Sequence, residues 1–345
     1  MAQSQGSKLV LAGDIGGTKT QLALFDWDLG RGGGVATDAN FAPGAILGFD
    51  LFSSQRARGL AEIAREFAAR FPQKPEVACF GVAGPVVNGR VRAPNIPWEV
   101  DANEMREALG VREVVLLNDL EACAYGVLCL SGEQRVTLQG GEPRAGAPIA
   151  VIAAGTGLGE GGLAPAGGRY VALPSEGGHA DFAPIGDGQI ELLRFVAKTE
   201  GHVSYERILA GPGLARIYQQ SLETSGAAEP PEVAQRAAAL GDRSAAISAL
   251  AIEGRDPHAV AALRSFARIY GAEAGNLALR SLAYGGVFVA GGIAPKILPF
   301  LTDGGFLEAF RAKGRMAPLM PRFPVHVVLE PRTPLIGAAL VGASS

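Results

Sequence analysis

Arg112-Glu113-Val114-Val115-Leu116-Leu117-Asn118-Asp119-Leu120-Glu121 is the stretch on which the fold turns. Four consecutive apolar residues, Val114 to Leu117, end abruptly in an Asn and an Asp, and from Leu120 to Gly126 apolar residues return at helical spacing. The pattern predicts a buried strand running into a helix. In open α/β sheets ligands collect outside the carboxyl ends of strands, so Asn118 and Asp119 are expected at the lip of a cleft. A carboxylate there is a candidate general base. The competing reading is that Asp119 only caps the helix beginning at Leu120, a role Asp fills well.

Outward toward the start, Asp101-Ala102-Asn103-Glu104 has the spacing of a helix N-terminus leading to Leu109, and Glu76 to Val86 reads as a strand closed by glycine and proline. Ser54 to Phe71 carries Leu60, Ile63, Ala64, Phe67 and Phe71 on one face, which predicts a helix stopped by Pro72. Arg31 to Gly34 reads as a turn and Ala45 to Asp50 as a strand. Lys8 to Ala12 and Gln21 to Asp26 are strands flanking Gly13-Asp14-Ile15-Gly16-Gly17-Thr18-Lys19-Thr20, which makes the glycine-rich piece a hairpin tip. Its glycines expose backbone N–H groups and its threonines and Lys19 add donors, a plausible phosphate cradle. It is not a Walker A loop, because Thr18 separates Gly17 from Lys19 and a strand follows instead of a helix. A carboxylate inside such a cradle, Asp14, makes sense mainly beside a divalent cation, with Mg²⁺ held through water.

Outward toward the end, Ile149 to Ala153 is a strand entering Ala154-Gly155-Thr156-Gly157-Leu158-Gly159, a second loop of the same design. Gly157, Gly159 and Gly162 spell G-x-G-x-x-G, but the glycine and proline turn from Pro165 to Gly168 replaces the helix that a dinucleotide site requires. Two strand-loop-strand cradles point to a duplicated fold that grips a polyphosphate between its halves. Glu176, His179 and Asp181 follow on an irregular, glycine-flanked segment whose residue types suit a polyhydroxylated ligand better than a metal. Glu206 is either functional or simply exposed. Residues 223 to 260 are Ala-rich helices, His258 to Leu282 is one long helix, and Gly286 to Ala290 is a strand reaching Gly291 and Gly292, predicted to open a helix. Pro324 to Leu329 is a late strand and Thr333 to Val341 a closing helix.

The 345 residues, 48% hydrophobic and 19% charged, suffice for two ordinary domains with filled cores. A net charge of -3 without single-sign runs advertises no nucleic-acid or membrane surface, so small ligands are the expected partners. Cys79, Cys123 and Cys129 lack metal or redox spacing and read as buried free thiols. No apolar run approaches the roughly 18 residues of a membrane span, and the start is polar, which fits a cytoplasmic protein.

Together, Leu11 to Thr18, Leu117-Asn118-Asp119, Ala154 to Gly159, Ser175 to Phe182 and Ala290 to Ile293 resemble the corresponding motifs of the bacterial glucokinases, members of the hexokinase and actin-like ATPase superfamily. The resemblance implies two α/β domains built on ribonuclease-H-like sheets with an interdomain cleft, residues 1–118 plus about 319–345 forming the small domain and 119–318 the large one. It implies ATP-dependent phosphorylation of glucose at its 6-hydroxyl, with Mg²⁺ as cofactor and a homodimer as the working unit. Asp119 would be the catalytic base, and Asn118, Asp119, Glu176, His179 and Glu206 would bind the sugar. Gly13, Asp14, Ile15, Gly16, Gly17 and Thr18 would form one phosphate loop, Gly155, Thr156 and Gly157 the other, and Gly291 and Gly292 the adenosine side. Unlike the related repressor, open-reading-frame and kinase (ROK) family, the chain has no cysteine between Ala180 and Gly201 for a zinc site. Another hexose, an amino sugar, polyphosphate as donor, or a non-catalytic sugar sensor on the same fold remain alternatives.

Overall fold

The computed structural model describes residues 6–28, 35, 44–93 and 95–345, so the turn expected at Arg31 to Gly34 lies outside the described residues. The glycine-linked hairpin forms: β1 (Ser7–Ile15) and β2 (Lys19–Asp28) pair antiparallel from Ser7 opposite Asp28 to Ile15 opposite Thr20. β3 (Ala45–Ser53) extends the sheet beside β2, and β4 (Val77–Val82), buried throughout, runs parallel to β1. Three short strands, β5 (Val86–Val87), β6 (Arg90–Val91) and β7 (Val100–Asp101), form a side sheet. β8 (Glu113–Asn118) then pairs parallel with β4, giving the order β3-β2-β1-β4-β8.

The second half repeats this plan. β9 (Arg135–Gln139), β10 (Ile149–Ala154), β11 (Leu158–Ala166), β12 (Arg169–Leu173), β13 (Gly286–Ala290) and β14 (Val325–Val328) are ordered β12-β11-β10-β13-β14-β9. Each sheet has a three-stranded antiparallel side and two parallel strands on the other, with β9 added antiparallel at the far edge of the second. The duplication expected from the two glycine loops is therefore a duplication of whole sheets.

Helices α1 (Leu60–Ala68), α2 (Ala102–Leu109) and α3 (Asp119–Gly126) belong to the first half. Between β12 and β13 come α4 (Gly186–Ala197), α5 (Tyr205–Ile208), α6 (Gly211–Ser225), α7 (Pro231–Leu240), α8 (Arg243–Ile252) and the long α9 (Pro257–Ser281). α10 (Leu298–Leu301), α11 (Gly305–Arg311) and α12 (Thr333–Ser344) complete the chain. α12 returns to the first sheet, lying on β1, β4 and α3. One apolar cluster fills the space under α1 and α2. A second packs α6, α8 and α9 on the second sheet. A third joins Val10 and Ala12 of the first sheet to Val151 and Phe288 of the second through α3 and α12. A shared core of this kind ties the two sheets together through α3 and α12, each fully buried Leu, Val or Phe contributing roughly 1.5–3 kcal/mol.

Three expectations change. The helix predicted over Ser54 to Phe71 is shorter, because the Ser54 hydroxyl donates to the Gly16 carbonyl (2.7 Å) and Gln55 Nε2 to that of Gly17 (2.6 Å), tying this stretch to the first loop. β8 is not a buried strand: it is an edge strand in which only Leu117 is buried. Gly291 and Gly292 do not open a helix. Gly291 sits at φ 83°, and turns continue until α10.

Candidate active site

At the end of β8 the chain divides two jobs between neighbours. Asn118 is the N-cap of α3: its Oδ1 accepts the Leu120 N–H (2.9 Å), and Glu121 reaches back to the Asn118 N–H (3.2 Å) in a capping box. Its Nδ2 donates to the Gly84 carbonyl (3.0 Å). Asp119 is the first helical residue, and its Oδ1 shares the same Leu120 N–H at 2.9 Å, so the capping expected of it falls mainly to Asn118 but is not wholly absent. Burial, and after it the charge of Glu176, push the Asp119 carboxyl above the usual range against the hydrogen bonds that favour ionisation. A cavity of about 360 Å³ opens beside Asn118 and Glu176, with Val86, Leu120 and Leu173 on its wall.

The first loop joins β1 to β2 with the Gly16 N–H donating to the Lys19 carbonyl (2.9 Å). Gly16, Gly17 and Thr18 form its tip, whereas Gly13 and Ile15 are buried in β1 and shape it from beneath. A Cβ on Gly13 would stand 2.6 Å from the Phe80 ring, and one on Gly17 would stand 2.8 Å from Asn95. Ser54, Gln55 and Asn95 therefore brace this loop, and sequence reasoning missed all three, since their partners lie tens of residues away. Asp14 is partly buried, accepts from Gln21 Nε2 (3.2 Å), and is pushed up to about 7 by burial and then by the charge of Asp119. A buried carboxyl raised further by a neighbouring carboxylate is a place where a cation lowers the energy. Among the described residues no cluster of three His, Cys, Asp or Glu forms a metal cage. The donors present suit Mg²⁺ arriving with phosphate oxygens, which needs only one or two carboxylates.

The second loop joins β10 to β11, Ala154 facing Leu158 and the Gly155 N–H donating to the Gly157 carbonyl (2.8 Å). Gly291 crosses directly over it: a Cβ there would lie 2.3 Å from the Ala154 carbonyl oxygen, and Ile293 N–H donates to that same oxygen (3.2 Å). Thus Gly155, Thr156, Gly157 and Gly291 are brought together, with Gly292 exposed alongside. Gly159 and Gly161 instead make room for Leu120 of α3.

The polar cluster forms where two irregular stretches zip together. Phe182 N–H donates to Val203 (2.9 Å) and Tyr205 N–H to Ala180 (3.0 Å), and His202 Nε2 lies 2.7 Å from Asp181 Oδ1. Asp181 is thereby used as a fastener, with His202 a partner the sequence reading did not name. The zipper sets His179 between two carboxylates, Nδ1 3.8 Å from Glu206 Oε1 and Nε2 4.0 Å from Glu176 Oε2. Glu206 Oε2 also accepts the Leu158 N–H (3.0 Å) and stands 2.5 Å from where a Cβ on Gly157 would be, so the cluster touches the second loop.

A family profile described as glucokinase matches residues 11–345. A glucokinase of Trichormus variabilis is 41% identical over 97% of the chain and 99% of its own length, and one of Synechocystis sp. is 38% identical over 97% and 98%. The chain belongs to the glucokinase family. As a glucokinase it phosphorylates glucose, and its two sheets are those of the actin-like ATPase fold. The crystal structure of a glucokinase from an Antarctic psychrotroph superposes with a TM-score of 0.84 at 32% identity, covering 98% of this chain and 99% of that one. A ROK family glucokinase from Streptomyces griseus, solved with glucose and AMPPNP, shares the fold at a TM-score of 0.65 and 24% identity, covering 98% and 100%.

Proposed function

We propose that glucose lies in the cleft between Asp119 and the Glu176, His179 and Glu206 cluster, with ATP as phosphoryl donor across the two glycine loops. The observation that carries this is the end of β8: Asn118 is the N-cap of α3, and the buried Asp119 carboxyl beside it lies close enough to feel the charge of Glu176 and to raise the proton affinity of Asp14. A primary hydroxyl is a poor nucleophile at neutral pH. Asp119 accepts the proton of the 6-hydroxyl as the oxygen–phosphorus bond forms, an effect typically worth about 10² to 10⁴ in rate. Its raised proton affinity brings it closer to the working pH, where a base is most effective. The remaining amide hydrogen of Asn118 and the Glu176, His179 and Glu206 side chains bind sugar hydroxyls, orienting the 6-hydroxyl toward the phosphates.

The N–H groups of Gly16 to Thr18 and Gly155 to Gly157 offset charge on the phosphate oxygens, and Gly291 and Gly292 let the adenosine side approach the backbone closely. Mg²⁺, when bound with the nucleotide near Asp14, neutralises phosphate charge. The small domain comprises residues 1–118 and about 319–345 and the large one 119–318, and closure of the cleft between them excludes water from the phosphoryl group. The family resemblance completes the reading with a cytoplasmic homodimer acting at the entry of glucose into glycolysis.

Steady-state kinetics test the sugar assignment. Glu176→Gln and His179→Ala are expected to raise the glucose KM by about tenfold or more while the ATP KM stays within about twofold. Equal effects on both substrates would remove these residues from the sugar site. A panel of hexoses and amino sugars against ATP and polyphosphate, read as product formation, is expected to favour glucose with ATP.

A further inference from the structure

Beneath the segment that carries Glu176 and His179 lies a second group of charges that phosphoryl transfer does not use. Glu160, the third residue of β11, is 1% exposed, and neither of its carboxyl oxygens accepts a hydrogen bond among the described residues. Arg280 Nη1 is 3.6 Å from Glu160 Oε2, while Nη2 of the same guanidinium donates to Glu273 Oε1 (2.8 Å). Glu273, 0% exposed on α9, also accepts from Asn276 Nδ2 (2.8 Å), and that nitrogen lies 3.3 Å from the hydroxyl of Tyr205, the neighbour of Glu206. Lys313 Nζ completes the group by donating to Asn276 Oδ1 (2.6 Å). Buried carboxyls without hydrogen bonds are costly, and such a group in a folded protein calls for an explanation.

The explanation is what Glu160 touches. Its Oε2 is 2.7 Å from where a Cβ on Gly177 would be, and its own Cβ is 3.2 Å from that point. A Cβ on the next residue, Gly178, would lie 2.0 Å from the Leu158 carbonyl oxygen. The two glycines between Glu176 and His179 thus lie flat on β11, one on the main chain and the other on the Glu160 carboxyl. Arg280 faces that carboxyl from α9 at 3.6 Å, and through Glu273 and Asn276 the same helix reaches Tyr205 beside Glu206. One network therefore underlies both carboxylates that flank His179.

We infer that Glu160 is a positioning residue for the sugar site, forming with Arg280 and Glu273 a floor that sets how Glu176 and Glu206 stand around His179. This rests on the assignment of those three residues to the sugar. Glutamine keeps the shape and reach of the Glu160 side chain against Gly177 without its charge; burial and then the charge of Glu273, opposed by Arg280, push Glu160 up to about 7.

The test is steady-state kinetics with glucose and ATP varied separately, on Glu160→Ala, Glu160→Gln, Gly177→Ala, the double variant Gly177→Ala/Glu160→Ala, and Glu176→Gln as control. Expected is a glucose KM raised about tenfold in Glu160→Ala with the ATP KM within about twofold, and restoration to within about threefold in Glu160→Gln. Gly177→Ala, whose methyl would meet the carboxyl, is expected to raise the glucose KM, and the double variant to be less impaired than the two single effects combined. An unchanged glucose KM in Glu160→Ala, with Glu176→Gln impaired, overturns the positioning role and leaves the sugar assignment standing. An unchanged glucose KM in Glu176→Gln overturns both. Equal loss on both substrates in Glu160→Ala, without rescue by glutamine, also overturns it, as a general structural role. Where Glu160→Ala gives no soluble enzyme, Gly177→Ala carries the test: a raised glucose KM alone supports the floor, and an unmoved one overturns it.

Discussion

Asn118 and Asp119 show how adjacent residues of similar chemistry come to do unlike work. Asn118 caps α3 through Oδ1 and donates its amide to the Gly84 carbonyl, while the Asp119 carboxylate shares the Leu120 N–H through Oδ1 alone. These two residues were legible because their chemistry and their place at a strand end are both local properties. Glu160, Ser54 and Gln55 were not, because each has its role only through groups brought near by the fold. Gly157 joins the second loop to the Glu206 carboxylate at this scale, and so the two substrate sites proposed above. Gly157→Ala would place a methyl against Glu206 Oε2, which holds the Leu158 N–H. Both the glucose and ATP KM values are expected to rise by about tenfold in kinetic assays. A change confined to ATP would show that displacing Glu206 does not matter.

At the scale of elements, α3 and α12 approach so closely that only glycine fits. A Cβ on Gly337 would lie 1.8 Å from the Ala122 carbonyl oxygen, and one on Gly126 would lie 1.9 Å from that of Thr333. Gly337→Ala is expected to destabilise the protein by about 3 kcal/mol, measured by urea unfolding, because neither backbone can yield without separating the sheets it joins. Unchanged stability would show that the contact is slack. The hairpins, the strand into α3 and the closing helix were legible because hydrophobic period and glycine position fix them locally. Helix ends were less so: Ser54 and Gln55 satisfy the first loop instead of extending α1, and Gly291 turns over Ala154 instead of opening a helix. Tertiary hydrogen bonds and close approach outweighed local pattern at both places.

Over the whole molecule, each of the two sheets carries a carboxyl held away from its ordinary state. Asp14, ordinarily near 3.8, and Glu160, ordinarily near 4.5, are each raised to about 7. The folded state binds these protons more tightly than the unfolded chain, so their stabilisation is complete below about pH 4 and is lost as pH rises to about 7. Glu330, lowered to about 2 first by its hydrogen bond to Arg332, acts in the opposite sense, its stabilisation being lost as pH falls below about 4.5. The Tm of the ligand-free protein is therefore expected to decline from about pH 5 to 7, and Asp14→Asn or Glu160→Gln to flatten that decline. A profile of unchanged slope in both variants would contradict the placement of these charges. The measurement that bears most directly on the cleft as a place of phosphoryl transfer is the turnover of Asp119→Asn at saturating glucose and ATP, taken with its glucose affinity by calorimetry. The structure predicts a kcat lowered by at least about a hundredfold with glucose binding retained, and a kcat within a few-fold of the unaltered enzyme would contradict it.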